Sequence, residues 1–435
     1  MFIFYYVILF LNIAIVLGFL KRDLSRYSPS AILWLALLAT FLFPAVADPF
    51  AGFIQPHVYS VGYELDILTL VEAHGFVFIF LVSFLCIQIS MLNVGRVKQS
   101  VKWHFLEQMG TNKSTGMCGL LVFLALSFYV PIELYLLFGR AAFTSLDFTT
   151  RRENQSFLAG FLSSYNFVIC AGALFWLWHT KRILTGVLVV LVYLFFYLVF
   201  GGSRQPLILL GLPFLCYFLF SSRAGLVYCV LIVVSFGFIS KFLEYLLYVR
   251  NLSGIDARLE ALPGVFNYLV FSQERLGSSE QSLRFAFYYF VQSGMSESGF
   301  GVFSYLTRVL FFWMPSFLDP ANIKPGDFEY IMFASYMPGY VGTMHPTFFG
   351  SLYADGGWFI IPWLIFFVAV YNSTSFFLKK YNGICFFAIW GAYAYLYMMM
   401  ARGSLYGPFV VLAFGLIFVS IAQRFSLKLK LGAKT

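Results

Sequence analysis

Of the chain's 435 residues, 61% are hydrophobic and only 11% charged, at a mean hydropathy of +0.84. A soluble domain carries about 25% charged side chains, so this composition cannot clothe a water-facing surface and points to lipid as the main solvent. A net charge of +9 would suggest nucleic acid in a soluble protein; here the placement of the charges matters more, and no nucleic-acid partner is expected.

In chain order the sequence resolves into about eleven apolar runs, near 2–20, 31–47, 66–92, 115–138, 157–178, 183–200, 206–220, 225–248, 347–370, 383–400 and 405–422, most of them long enough to span a bilayer. The first lacks a basic leader and a small-residue cleavage site, and is expected to be a retained helix rather than a signal peptide. Six cysteines fall inside apolar runs without paired spacing, which suits packing rather than disulfides or metal. The expected fold is an all-α polytopic membrane protein with one large extramembrane segment. Its three parts are residues 1–248 with helices one to eight, 249–346 as the partly helical segment, and 347–435 with helices nine to eleven and a basic tail.

Charge then sorts the loops. Lys21, Arg22 and Arg26; Arg96, Lys98, Lys102 and Lys113; Lys181 and Arg182; Arg223; Lys379 and Lys380; and Arg424, Lys428, Lys430 and Lys434 all fall on one side, with only Asp23 and Glu107 as acids. The positive-inside rule makes that side cytoplasmic, which places the N-terminus outside, the C-terminus inside and the segment 249–346 outside. Within that segment Ser278 and Gln281 form a capping-box pattern ahead of an aromatic stretch through Val291. So aromatic a helix is expected at the membrane interface.

The outer side offers the candidate chemistry. Arg204 sits in Gly201-Gly202-Ser203-Arg204-Gln205-Pro206, Arg308 precedes the aromatic run ending at Pro315, and Arg402 lies between the last two spans. An arginine beside apolar sequence is costly unless an anion receives it, and its planar fork suits a diphosphate. The bland reading is that these arginines snorkel to headgroups or pair with acids; three on one face favour a shared ligand. His345, at the mouth of the ninth run, is the first candidate for a base, and Asp355, ten residues on, is the second. A structural role competes for both. Arg250, Arg284, Glu72 and Glu133 are secondary candidates, and Lys241 with Glu244 reads as a self-neutralising pair three residues apart. The sequence holds no Walker loop, dinucleotide fingerprint, metal-ligand spacing or G-x-S-x-G elbow, so no cofactor or metal is expected.

Taken together, Gly201–Pro206, Arg308–Pro315, His345–Gly357 and Ala401-Arg402 form ordered landmarks that resemble the Wzy-type polysaccharide polymerases, the family of O-antigen and enterobacterial common antigen polymerases. The landmarks cover about a tenth of the chain, although their order and the topology cover nearly all of it. The resemblance implies a GT-C-like glycosyltransferase of the bacterial inner membrane. It would transfer a growing glycan from undecaprenyl diphosphate to the non-reducing end of the next lipid-linked repeat unit, at the periplasmic face and without nucleotide or metal. It further implies a separate chain-length-regulating co-polymerase as partner. Two other functions compete: an O-antigen ligase, which also pairs outer arginines with a histidine, and a transporter or flippase of lipid-linked oligosaccharide. The latter folds often carry internal repeats, and none is visible in the sequence.

Overall fold

The computed structural model describes residues 1–54, 61–93, 101–110, 129–139, 278–294, 303–314, 328–339 and 344–432, with isolated positions between 172 and 264. The runs near 157–178, 183–200, 206–220 and 225–248 lie largely outside the described residues, as do Arg204, Arg250 and the pair Lys241 and Glu244.

Helix α1 (Phe2–Ser25) shows how the sequence divides its surfaces. Tyr5, Leu9, Asn12, Ile13, Val16, Phe19, Leu20 and Asp23 recur at helical spacing and are buried. The opposite face is apolar too, yet Ile3, Phe4 and Phe10 are exposed, Ile3 by 82%. A helix apolar all round with one face uncovered fits a hydrocarbon solvent. Among the described residues, Phe2–Ser25, Ala31–Phe50, Ile67–Met91 and Ile361–Leu378 are long and apolar enough to cross a membrane. The chain is a predominantly helical membrane protein.

The second span is composite. Helix α2 (Ala31–Leu37) widens into a π turn over Leu38–Leu42 and then tightens into a 3-10 stretch over Pro44–Phe50. Pro44 and Pro49 each withhold a backbone N–H, so a regular α ladder cannot continue. The consequence is positional: the unwound end carries Asp48 into the protein, where it is 2% exposed. A short hairpin of β1 (Phe53–Ile54) and β2 (Tyr63–Glu64) leads to α3 (Ile67–Asn93), followed by α4 (Lys102–Gly110) and α5 (Tyr129–Phe138).

Beyond these come α6 (Ser278–Ser293), α7 (Ser304–Leu310), α8 (Phe328–Tyr336), α9 (Thr347–Gly356), α10 (Ile361–Leu378), α11 (Ile384–Arg402) and α12 (Tyr406–Gly432). The sequence suggested one span over 347–370; two helices stand there instead. Gly357 adopts φ 55°, ψ −137° and ends α9 after 10 residues, and Pro362 sits in the first turn of α10. A left-handed glycine followed by a proline breaks the helix for a stated reason. Helix α6, whose aromatic stretch pointed to an interfacial position, is covered by protein: Phe285, Ala286, Phe287, Tyr288 and Phe290 are buried, packed against α3 and α9.

The described loops gather at two ends. At one, Trp390 donates to the Tyr27 carbonyl, His104 meets the Tyr381 carbonyl, and Gln108 accepts from Gly383 N and donates to Asn382. Tyr27, His104, Gln108, Tyr381, Asn382 and Gly383 belong to loops of the basic set defined by charge, and Trp390 lies in the α11 half nearer to them. At the other end, Tyr5 donates to the Ala45 carbonyl, Tyr63 to that of Phe285, and Val61 N to that of Tyr336, joining segments that all belong to the opposite set.

Candidate active site at the turn between the last two helices

Helix α11 stops at Arg402 because Gly403 takes φ +101°, with Gly403 N bonded to Met400 O and Ser404 N to Met399 O. Glycine is required here twice over: the conformation is left-handed, and a Cβ would stand 2.5 Å from the Thr347 carbonyl oxygen. Helix α9 is thereby pressed against the turn, and Ser351 Oγ donates to the Gly403 carbonyl at 3.0 Å.

Tyr305 of α7 is the hub. Its hydroxyl accepts from Leu405 N at 2.7 Å and donates to Glu329 Oε1 at 2.7 Å, with the Gly403 carbonyl farther off at 3.3 Å. Ser404 Oγ adds a second donor to Glu329 Oε1 at 3.3 Å. The other oxygen of that carboxylate, Oε2, lies 3.5 Å from His345 Nδ1. The segment carrying His345 is held to α8 through Met344 N, which donates to the Glu329 carbonyl at 3.0 Å.

Two arginines stand at the same turn. The Arg308 guanidinium lies over the Tyr406 ring, 4.6 Å from its centroid. Arg402 Nε is buried and makes no hydrogen bond. Burial first, and then the positive charge of Arg402, holds the His345 imidazole down to about 3. Proximity to Glu329 favours the imidazolium, but the two opposing causes outweigh it, and the imidazole is neutral at physiological pH.

Asp355 stands beside this group and faces elsewhere. Its carboxylate accepts from Tyr305 N at 2.6 Å, Leu306 N at 3.1 Å and Trp363 Nε1 at 2.9 Å, and its own carbonyl accepts from Phe303 N. It serves the orphan N–H groups at the start of α7, as a capping residue does, and is 1% exposed. Three donors engage most of its lone-pair sites, and they tie it to α7, which carries Tyr305 and Arg308. Phe303 and Thr347, at the starts of α7 and α9, are two of three described non-glycine residues with positive φ. Such strain collects where surrounding structure over-determines the backbone.

The secondary candidates lie apart. Arg284 grips Asp48 with both prongs, Nε to Oδ2 at 2.6 Å and Nη2 to Oδ1 at 2.7 Å. Tyr288 donates to Asp48 at 2.8 Å, and His74 Nε2 lies 3.1 Å from the Tyr288 oxygen. With the tyrosine proton spent on Asp48, His74 must donate through Nε2. Glu72 receives Trp358 Nε1 at 3.4 Å near the surface, and Glu133 keeps one buried oxygen, Oε2, without a partner.

Of the residues chosen from sequence, the structure brings His345, Arg308 and Arg402 to one turn, with Asp355 supporting it. Glu329, Tyr305 and Asp48 were not singled out. Glu329 could have been found as the nearest acid preceding His345 in the large segment, and Asp48 as a lone acid between a span and Pro49. Tyr305 carried no signal of its own in so aromatic a chain. Comparison of the chain with protein-family models, curated proteins and solved structures returns no match.

Proposed function

We propose that the protein is a Wzy-type polysaccharide polymerase, an eleven-span, GT-C-like glycosyltransferase of the bacterial inner membrane. On this reading the turn after Arg402 faces the periplasm and binds the diphosphate of an undecaprenyl-linked glycan. The observation that carries the reading is the meeting of His345, Arg308 and Arg402 at one glycine-set turn, with the buried Arg402 Nε unspent.

The chemistry follows from those groups. The acceptor's sugar hydroxyl oxygen bonds to the anomeric carbon of the donor as the bond from that carbon to the diphosphate oxygen breaks. The electron pair leaves on the diphosphate, where fixed positive charge stabilises it as it develops. The hydroxyl proton passes to a neutral His345. Binding and basicity are coupled: a diphosphate beside Arg402 offsets the charge that suppresses the imidazole, so the base strengthens once the donor is seated. Arg204, which lies outside the described residues, is proposed from the sequence alone as a third cation for the diphosphate.

The test uses chain-length ladders in a strain lacking the chromosomal copy. Arg204→Ala, Arg308→Ala and Arg402→Ala should each abolish long chains while the protein still inserts, and lysine should restore little where the contact is bidentate. Loss of the gene should leave single repeat units on the lipid core; if it leaves bare core, the protein is a ligase. Normal ladders in all three variants would sink the diphosphate clamp.

A further inference from the structure

Resting on that reading, the geometry points to Glu329 as a positioning residue that orients His345 through Nδ1, leaving Nε2 to take the acceptor's proton. Three observations converge on it. The Glu329 carboxylate is divided between two tasks: Oε1 is held by the Tyr305 and Ser404 hydroxyls, while Oε2 faces His345 Nδ1 at 3.5 Å. Tyr305 is itself fixed, since Leu405 N, in the turn leading into α12, donates to its hydroxyl oxygen. The chain of contacts therefore runs from the turn through Tyr305 and Glu329 to the imidazole. Finally, the tie from Met344 N to the Glu329 carbonyl brings His345 and Glu329 together along the backbone as well as through side chains.

The Nδ1 contact is long, and Nδ1 makes no hydrogen bond at this distance. Catalytic hydrogen bonds are often loose before the reacting complex forms and tighten within it. A carboxylate beside Nδ1 selects the tautomer with the proton on that nitrogen, because the carboxylate only accepts. The opposite nitrogen is then the acceptor that a base requires. This is the general logic of a base fixed by a third group.

The decisive variant is Glu329→Gln, which keeps an acceptor for Tyr305 and Ser404 but can present an amide N–H to Nδ1. That should move the proton to Nε2 and remove the base without removing the packing. Histidine-selective nitrogen NMR of the purified full-length protein, with His345 assigned by loss of its signal in His345→Gln, reads the tautomer directly. The expected result is protonation at Nδ1 in the native protein and at Nε2 in Glu329→Gln. In elongation assays kcat should fall about a hundredfold with KM little changed, and Glu329→Asp should recover part of it. A native protein protonated at Nε2, or a Glu329→Gln variant with unchanged tautomer and kcat, overturns the positioning role. If His345→Gln still builds long chains, His345 is not the base and the positioning role falls with it. If the native protein shows the expected tautomer but builds no chains, the glycosyltransfer reading falls and the orientation of His345 by Glu329 stands.

Discussion

At the scale of single residues, the question is which charge each candidate meets, and Arg402 and Arg284 answer it differently. From sequence Arg402 is a costly cation needing an anion, and Arg284 a secondary candidate. Arg284 has an anion, since Asp48 occupies both prongs of its fork. Arg402 instead keeps its Nε buried without a hydrogen bond, and its charge is felt at His345. That influence has a sign that can be measured. Arg402 disfavours the imidazolium, so Arg402→Gln should raise the pKa of His345 above its present value of about 3. It should stay below the ordinary 6.5, because burial, the larger cause, persists. A histidine-selective NMR titration checks this, and a pKa that falls or stays put contradicts the assignment. Why His345 and Arg402 were legible is plain: an imidazole and a guanidinium among apolar residues are rare and chemically distinctive. Glu329 was harder, because its value lies in the partner it meets rather than in its type. Asp355 looked like a base from sequence; the backbone N–H groups that engage it belong to a helix 50 residues away in the chain.

At the scale of elements, irregular backbone sets the positions of the charged groups. The unwinding over Pro44–Phe50 delivers Asp48 to α6, and the left-handed Gly403 delivers Arg402 and the start of α12 to α7, α8 and α9. The Asp48–Arg284 pair is 2% exposed on each side and links α6 to the end of the second span across 236 residues of sequence. Breaking a buried pair by removing one partner leaves an uncompensated charge, at a cost of about 3–5 kcal/mol. Asp48→Ala should therefore lower the thermal midpoint strongly in detergent, and Asp48→Leu combined with Arg284→Met should recover much of the loss. If Asp48→Ala melts like the parent, the pair is not what joins these elements. The regular parts were the readable ones. Runs expected at 2–20, 66–92 and 383–400 correspond to helices Phe2–Ser25, Ile67–Asn93 and Ile384–Arg402, because uninterrupted hydrophobicity leaves little choice of structure. The break within 347–370 was not read as such, since Gly356-Gly357 stops a helix only when tertiary contacts favour the left-handed turn.

At the scale of the whole molecule, the described hydrogen bonds between loops join members of the same charge set to one another. That agreement is informative because hydrogen bonds and lysine counts are independent quantities. Orientation follows as a labelling experiment in a cysteine-free background. A cysteine replacing the exposed Ser293 should react with an impermeant maleimide in spheroplasts, whereas one replacing the exposed Asn382 should react only after permeabilisation. Labelling of both from the same side would contradict the two-ended arrangement. In the proposed account the site opens toward the Ser293 end.

The most direct test of the central claim is elongation by the purified protein in detergent, supplied only with undecaprenyl-diphosphate-linked repeat units. The expected result is a ladder of longer glycans formed without nucleotide or ion gradient, absent in His345→Gln and Arg402→Ala. A native protein that builds no ladder, while proteoliposomes containing it carry the same lipid-linked substrate across the bilayer, would contradict the account.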